Sequence, residues 1–213
     1  MNENNIKFRV TRYPERASYN KNELIDFLNK NFLCHVGFIY DGVPYVIPML
    51  YSNDDNYIYL HGSPESRIVN VLKVNGIVSI SVTKVNGIVL AEMVKDNSVN
   101  YVSVVIFGKS EEVKNNSDKL KAFKNLMDRM VPERWENSIL PSDNDLNNVS
   151  IIKISIDKFS IKKREGGPKL NHKSSTNKNN IWSGEITIKC RYEKPIDNEN
   201  IPNYIAKLIG KQL

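Results

Sequence analysis

Tyr57-Ile58-Tyr59-Leu60-His61-Gly62-Ser63-Pro64-Glu65-Ser66-Arg67 carries an apolar, aromatic strand into a glycine and then into residues that start a helix. Ser63 suits the N-cap, Pro64 suits the first helical position, where no backbone donor is needed, and Ile68-Val69-Asn70-Val71-Leu72 supplies an apolar helical face. The first turn of such a helix presents unpaired N–H groups and the positive end of the macrodipole, with the Ser66 hydroxyl and the Arg67 guanidinium beside them. That set suits a phosphate, which Arg67 would meet with two parallel bonds. The same residues also describe an ordinary capped helix after a strand.

Upstream, residues 32–40 read as a strand, Asp41-Gly42 as a hairpin turn and residues 45–51 as the partner strand. Asn53-Asp54-Asp55-Asn56 then turns the chain into Tyr57, which makes three antiparallel strands in succession. Pro48 cannot donate to a ladder and implies an edge, a bulge or a place where a ligand meets the backbone. Asn20 and Glu23 have capping-box spacing at the head of a helix over residues 20–30. Residues 1–19, with Arg9, Arg12 and Arg16 around Tyr13-Pro14, read as a solvated arm.

Downstream, Asn75-Gly76 ends the helix, and residues 77–83, Asn86-Gly87 and residues 88–94 predict another hairpin. Residues 101–108 continue the sheet. Six strands with short turns predict a mainly β chain, a closed or partly closed barrel with flanking helices. Ser117 caps a predicted helix over residues 117–130, Pro141-Ser142-Asp143 opens a short helical piece, and residues 151–156 with 159–162 form a further strand. Residues 165–180, rich in Lys, Asn and Ser, read as a long flexible loop, followed by a strand over 182–192 and a terminal helix over 202–213.

With 213 residues, 40% of them apolar and 25% charged, the chain is expected to form one domain over residues 1–213. No apolar run approaches the roughly 18 residues of a membrane span, and no leader sequence is visible, so a cytoplasmic setting without membrane contact is expected. Cys34 and Cys190 lack CxxC spacing and read as buried, reduced thiols, while His35, His61 and His172 are too scattered to predict a metal site. The net charge of +6 gathers around Lys162-Lys163-Arg164 without aromatic interleaving, a pattern that favours anion binding or solvation over nucleic acid.

Several motifs occur in order: His35-Val36-Gly37-Phe38, Asp41-Gly42, Pro44-Tyr45-Val46-Ile47-Pro48-Met49, Leu60-His61-Gly62-Ser63, Ser66-Arg67, residues 100–108 and Trp182-Ser183-Gly184. Together they resemble the pyridoxamine 5'-phosphate oxidase-related FMN-binding proteins, above all their nitroimidazole-resistance branch. The resemblance runs from about Arg12 to Ile188. It implies an FMN-binding split β-barrel that forms a homodimer, with FMN in grooves between the subunits. Ile47, Pro48, Met49 and Leu50 would lie along the isoalloxazine, with Met49 on its face. His61, Gly62, Ser63, Ser66 and Arg67 would take the ribityl chain and phosphate, Ser103 would contact the ring, and Trp182 would reach the flavin from the other subunit. Arg164, in Arg164-Glu165-Gly166-Gly167-Pro168, matches an arginine of a Gly-Pro loop in the family and is a candidate for a substrate or phosphate contact. Val102 departs from an arginine common in that branch, and Lys95-Asp96-Asn97 from its histidines.

The function so implied is an FMN-dependent oxidoreductase that reduces a small electrophile such as a nitro-aromatic, with His61 as candidate proton donor because imidazole titrates near neutrality. The alternative is a flavin-binding carrier or sensor without turnover. Pyridoxamine 5'-phosphate oxidation and haem degradation are weaker options.

Overall fold

The computed structural model describes residues 8–74, 76–168, 181–196 and 199–212. Of the expected solvated arm, residues 8–19 are described and do not hang free. A 3-10 turn at Pro14–Arg16 leads into β1 (Ala17–Ser18), which pairs antiparallel with a later strand through Ala17↔Lys162 and Ser18↔Ile161. Asn20 then caps α1 (Lys21–Asn29), its side chain accepting from the N–H groups of Asn22 and Glu23, and Leu24 and Leu28 bury one face of that helix.

β2 (Leu33–Tyr40) and β3 (Val43–Asn53) form the expected hairpin, in continuous register from Leu33↔Leu50 to Tyr40↔Val43. Asp41 and Gly42 reverse the chain with φ of 50° and 75°, the left-handed pair that matches the twist of the strands. β4 (Tyr57–Gly62) follows, but α2 (Arg67–Lys73) starts later than Ser63 and Pro64 imply. Ser63 instead closes a tight turn, its carbonyl accepting from Ser66 N–H, and Ser66 is the N-cap, its hydroxyl accepting from Val69 N–H at 3.4 Å. The later start swings Ile68, Val69 and Leu72 into the core.

The hairpin expected at Asn86-Gly87 does not form. β5 (Ile77–Leu90) runs through both residues as one strand with a register shift between Val85 and Gly87, and the chain reverses beyond it, around a 3-10 turn at Val94–Asp96, into β6 (Ser98–Val113). Gly87 serves another end: a Cβ there would lie 2.9 Å from the Ile186 carbonyl oxygen of the neighbouring strand.

α3 (Asn116–Met130) is capped by Asn115 rather than by Ser117, and α4 (Asp143–Asn147) begins with a reciprocal capping box between Ser142 and Asp145. The region expected to give one more strand gives two, β7 (Ser150–Ser155) and β8 (Lys158–Arg164). The regular strand in the 182–192 region is confined to β9 (Gly184–Thr187), and α5 (Asn203–Ala206) is all the helix in the described part of the C-terminal segment. Most of the expected loop, residues 169–180, lies outside the described residues. Cys34 is buried as expected, whereas Cys190 is exposed; both are free thiols.

The strands make a nine-stranded antiparallel sheet in which β2, β3, β4, β7, β6 and β5 close into a ring, because β5 pairs with β2 on one edge and β6 on the other. The ring is split at β6. Across Tyr101–Phe107 its outer edge pairs with β8, and across Ser110–Val113 it pairs with β7. Gly108 stands at the changeover, where a Cβ would lie 2.2 Å from the Ser155 carbonyl oxygen and 2.5 Å from Ile154 Cγ2. A side chain there would prevent the two sheets from meeting. One apolar core, including Leu28, Val36, Tyr51, Ile80, Ile106 and Ile154, fills the ring, and a smaller cluster of Val113, Ala122 and Ile151 lies under α3. Among the described residues no helix is long and apolar enough to cross a membrane.

Candidate functional site

β3 and β4 pair only through Tyr51–Asn53 and Ile58–Leu60, and beyond Leu50 they diverge. Tyr51 N–H donates to the Phe32 carbonyl at 2.9 Å, on the β2 side. Alternation therefore turns the peptide groups of Leu50, Pro48 and Val46 toward the opposite edge, which no strand covers among the described residues. Pro48 sits where its missing donor leaves no ladder bond unmade. The side chains divide by the same alternation: Ile47 and Met49 pack against the barrel core, Val46 and Pro48 are exposed on the outer face, and Leu50 is half-buried.

Gly62 ends β4 in close contact with α2, since a Cβ there would lie 2.9 Å from Val69 Cγ2. That approach brings the first residue of α2 toward the β2–β3 hairpin. The Arg67 guanidinium lies 4.8 Å from the ring centre of Tyr45 and 5.4 Å from that of Tyr40. Among the described residues Arg67 makes no ion pair and no hydrogen bond, so two aromatic faces hold its planar fork with its N–H groups unused. The hydroxyls of Ser63 and Ser66 each accept a backbone N–H, from Glu65 and Val69 respectively, and each keeps its own proton to donate. Sequence reasoning finds Arg67 but misses Tyr40 and Tyr45, whose only signal is their place on either side of the Asp41-Gly42 turn.

His61 is set apart from this group. Ile58 and Leu60 point into the barrel, so Tyr57, Tyr59 and His61 face the other way, and the His61 ring packs 5.4 Å from that of Phe123 on α3. Ser52, Ala122, Leu126 and Ile151 line the same narrow space, about 10 Å³ in volume. Burial lowers the His61 pKa from its ordinary 6.5, so the imidazole is neutral at neutral pH. The folded chain then binds fewer protons at this site in mild acid than the unfolded chain does. The stability this site contributes is complete above about 6.5 and is lost as pH falls from there through the folded value. His61→Phe is expected to flatten that part of the pH dependence of the denaturation midpoint, and an equal acid loss in variant and parent would rule out His61 as its source.

The remaining candidates lie on the far side of β2. Ser103 Oγ and Thr83 Oγ1, on paired positions of β6 and β5, are 3.0 Å apart and share a hydrogen bond. Arg164 donates to Asn100 Oδ1 and to the carbonyls of Gly166 and Gly167, and Asn100 Nδ2 donates to Glu185 Oε1 at 2.6 Å. Arg164 thereby ties β8, β6 and β9 together. Trp182 precedes β9 and is 60% exposed, its indole lying across Gly184, where a Cβ would be 2.6 Å from Trp182 Cζ2. The structure thus gathers the Ile47–Leu50 edge and the Gly62–Arg67 corner on one side of β2, and Ser103, Arg164 and Trp182 on the other.

A model of the pyridoxamine 5'-phosphate oxidase family matches residues 20–163, from the cap of α1 to the end of β8. The chain belongs to that family. Like other structures related to pyridoxamine 5'-phosphate oxidases, it is a split β-barrel, and the match covers the divergence of β3 from β4, Arg67 and Ser103. Among solved structures, the flavocytochrome Anf3 from Azotobacter vinelandii is 25% identical with a TM-score of 0.85, over 94% of this chain and 96% of that one. A FAD and haem binding protein from Mycobacterium smegmatis is 23% identical with a TM-score of 0.83, over 92% and 98% of the two chains. A protein from Bacteroides thetaiotaomicron assigned to 5-nitroimidazole antibiotic resistance is 23% identical with a TM-score of 0.58, over 68% and 85% of the two chains. No curated protein matches the chain.

Proposed function

We propose that this protein binds FMN at the divergence of β3 and β4 and works as a flavin-dependent oxidoreductase on a small electrophile, with nitro-aromatics as the first class to test. The observation that carries the reading is Arg67, a cation with unused donors held on two tyrosine rings beside an open strand edge. That setting fits a flavin. Arg67 and the hydroxyls of Ser63 and Ser66 would bind the phosphate, and the peptide groups of Val46, Pro48 and Leu50 would orient the polar rim of the ring. Bound there, FMN would supply hydride and single-electron chemistry. His61, packed against Phe123 with its pKa lowered by burial, lies apart from the Arg67 corner.

A homodimer would complete the groove. Leu33, Ile39, Val46, Val85, Ile88 and Ile186 are all exposed on β2, β3, β5 and β9, more apolar surface than a lone barrel gains by showing to water. In that assembly Trp182 would cover the partner's flavin. Titrating FMN into apoprotein is expected to quench tryptophan emission, and Trp182→Phe to remove most of the quenching while Trp135 remains. Undiminished quenching in Trp182→Phe would place Trp182 away from the ring.

The second reading is an electron carrier or sensor without turnover of its own, favoured by the likeness to the flavocytochrome over 94% of the chain. The visible spectrum of freshly purified protein tests flavin binding. Steady NAD(P)H-dependent loss of a nitroimidazole chromophore favours the oxidoreductase, and bound flavin that no pyridine nucleotide can cycle favours the carrier.

A further inference from the structure

The strap of residues 9–19 concentrates positive charge. The Arg12 and Arg16 guanidiniums lie 5.2 and 4.5 Å from the ring centre of Tyr13, and Lys162 Nζ, reaching over from β8, lies 5.7 Å from the same point. Arg9 adds a fourth cation to the strap, 4.9 Å from the ring of Tyr19. Against these stands one ion-paired carboxylate, Glu15, at 3.9 Å from Arg16. Arg9, Arg12 and Lys162 have no acidic partner among the described residues, whereas the nearby cations Lys21 and Lys163 are paired with Asp157 and Glu23.

The cluster is built into the fold. Lys162 Nζ donates to the Arg12 carbonyl at 2.8 Å, Val10 N–H donates to Tyr19 Oη at 2.9 Å, and β1 pins the strap to β8. Tyr13 itself has φ 57° and ψ 59°, a left-handed conformation that a bulky residue rarely adopts. Guanidiniums stacked on aromatic rings keep their forks turned outward, ready for bidentate contact with phosphate oxygens.

We propose that this strap binds the diphosphate group of a small molecule, of the kind carried by nucleoside diphosphates and nicotinamide dinucleotides. Three cations gathered around one ring match a compact, doubly charged group, whereas a nucleic-acid backbone calls for cations spaced along a track. The site is distinct from Arg67, which sits at the start of α2, and it does not depend on the flavin reading.

Calorimetric titration of the full-length protein, as purified, with inorganic pyrophosphate, ADP and NADPH tests the proposal. All three are expected to bind, more weakly as salt rises. Arg12→Gln is expected to weaken each roughly ten- to a hundredfold while leaving flavin content unchanged. Tyr13→Gly suits the left-handed backbone but removes the seat of the guanidiniums, so it is expected to keep the fold and lose affinity for all three probes. Tighter binding of ADP and NADPH than of pyrophosphate identifies the source as a nucleotide, and equal binding identifies the diphosphate alone; both support the site. Absence of pyrophosphate binding, affinity unchanged in both variants, or a single-stranded oligonucleotide that outcompetes pyrophosphate would each overturn it.

Discussion

Arg67→Ala is expected to weaken FMN retention by about 1.5 to 3 kcal/mol, the worth of a charge-assisted fork on phosphate. The size of the loss follows from what Arg67 does not touch. An arginine whose donors were engaged elsewhere in the protein would have little left to give a ligand, and this one is held by ring faces alone. Arg67→Lys should recover only part of the loss, because an ammonium keeps the charge but neither stacks flat on Tyr45 nor forks onto two oxygens. Fluorescence titration of FMN into apoprotein reads both variants. A dissociation constant unchanged in Arg67→Ala would remove this residue from the phosphate site and leave the groove without its anchor.

Gly108→Ala should lower stability by about 3 kcal/mol, the upper end of what overpacking ordinarily costs. The added methyl would meet the Ser155 carbonyl oxygen at 2.2 Å and Ile154 Cγ2 at 2.5 Å, and a backbone carbonyl in β7 cannot step aside without breaking the strand pairing. Gly37 offers the contrast. A Cβ there would lie 2.5 Å from Ser79 Oγ, the end of a side chain that can rotate, so Gly37→Ala should cost much less. Denaturant midpoints compare the two, and equal losses would show that the changeover on β6 is not the stiff point of the barrel.

The fold was legible wherever the cause of an element lies within a few residues of it. The Asp41-Gly42 hairpin, the Asn20 cap and the Ser142 cap follow from local chemistry. Asn86-Gly87 carries the same local signature as Asp41-Gly42 yet lies inside a strand, because that glycine answers to the backbone of β9, about a hundred residues further on. The start of α2 shifted by three residues since Ser63 and Ser66 can both cap, and the choice was made by the core that Ile68, Val69 and Leu72 had to reach.

The site divides in the same way. Arg67 was legible from its own neighbourhood, and the open edge was one of the meanings that Pro48 allowed. The tyrosine seat was hidden because it exists only once the hairpin folds against α2. Arg164 matched a family position but is taken up by Asn100 and its own loop, a network joining residues 64 and 85 positions apart that no local pattern announces.

Pro48 also protects the molecule from itself. An uncovered strand margin is a template for other extended chains, and the stretch around Val46 would otherwise invite end-on accretion into fibrils. With a proline at its middle, an intruding strand loses a bond at the point where pairing would have to propagate, while a flat heteroaromatic needs only the carbonyls and the two flanking amides. Under the proposed flavin reading, the same residue would keep this edge closed to polymers and open to a small guest.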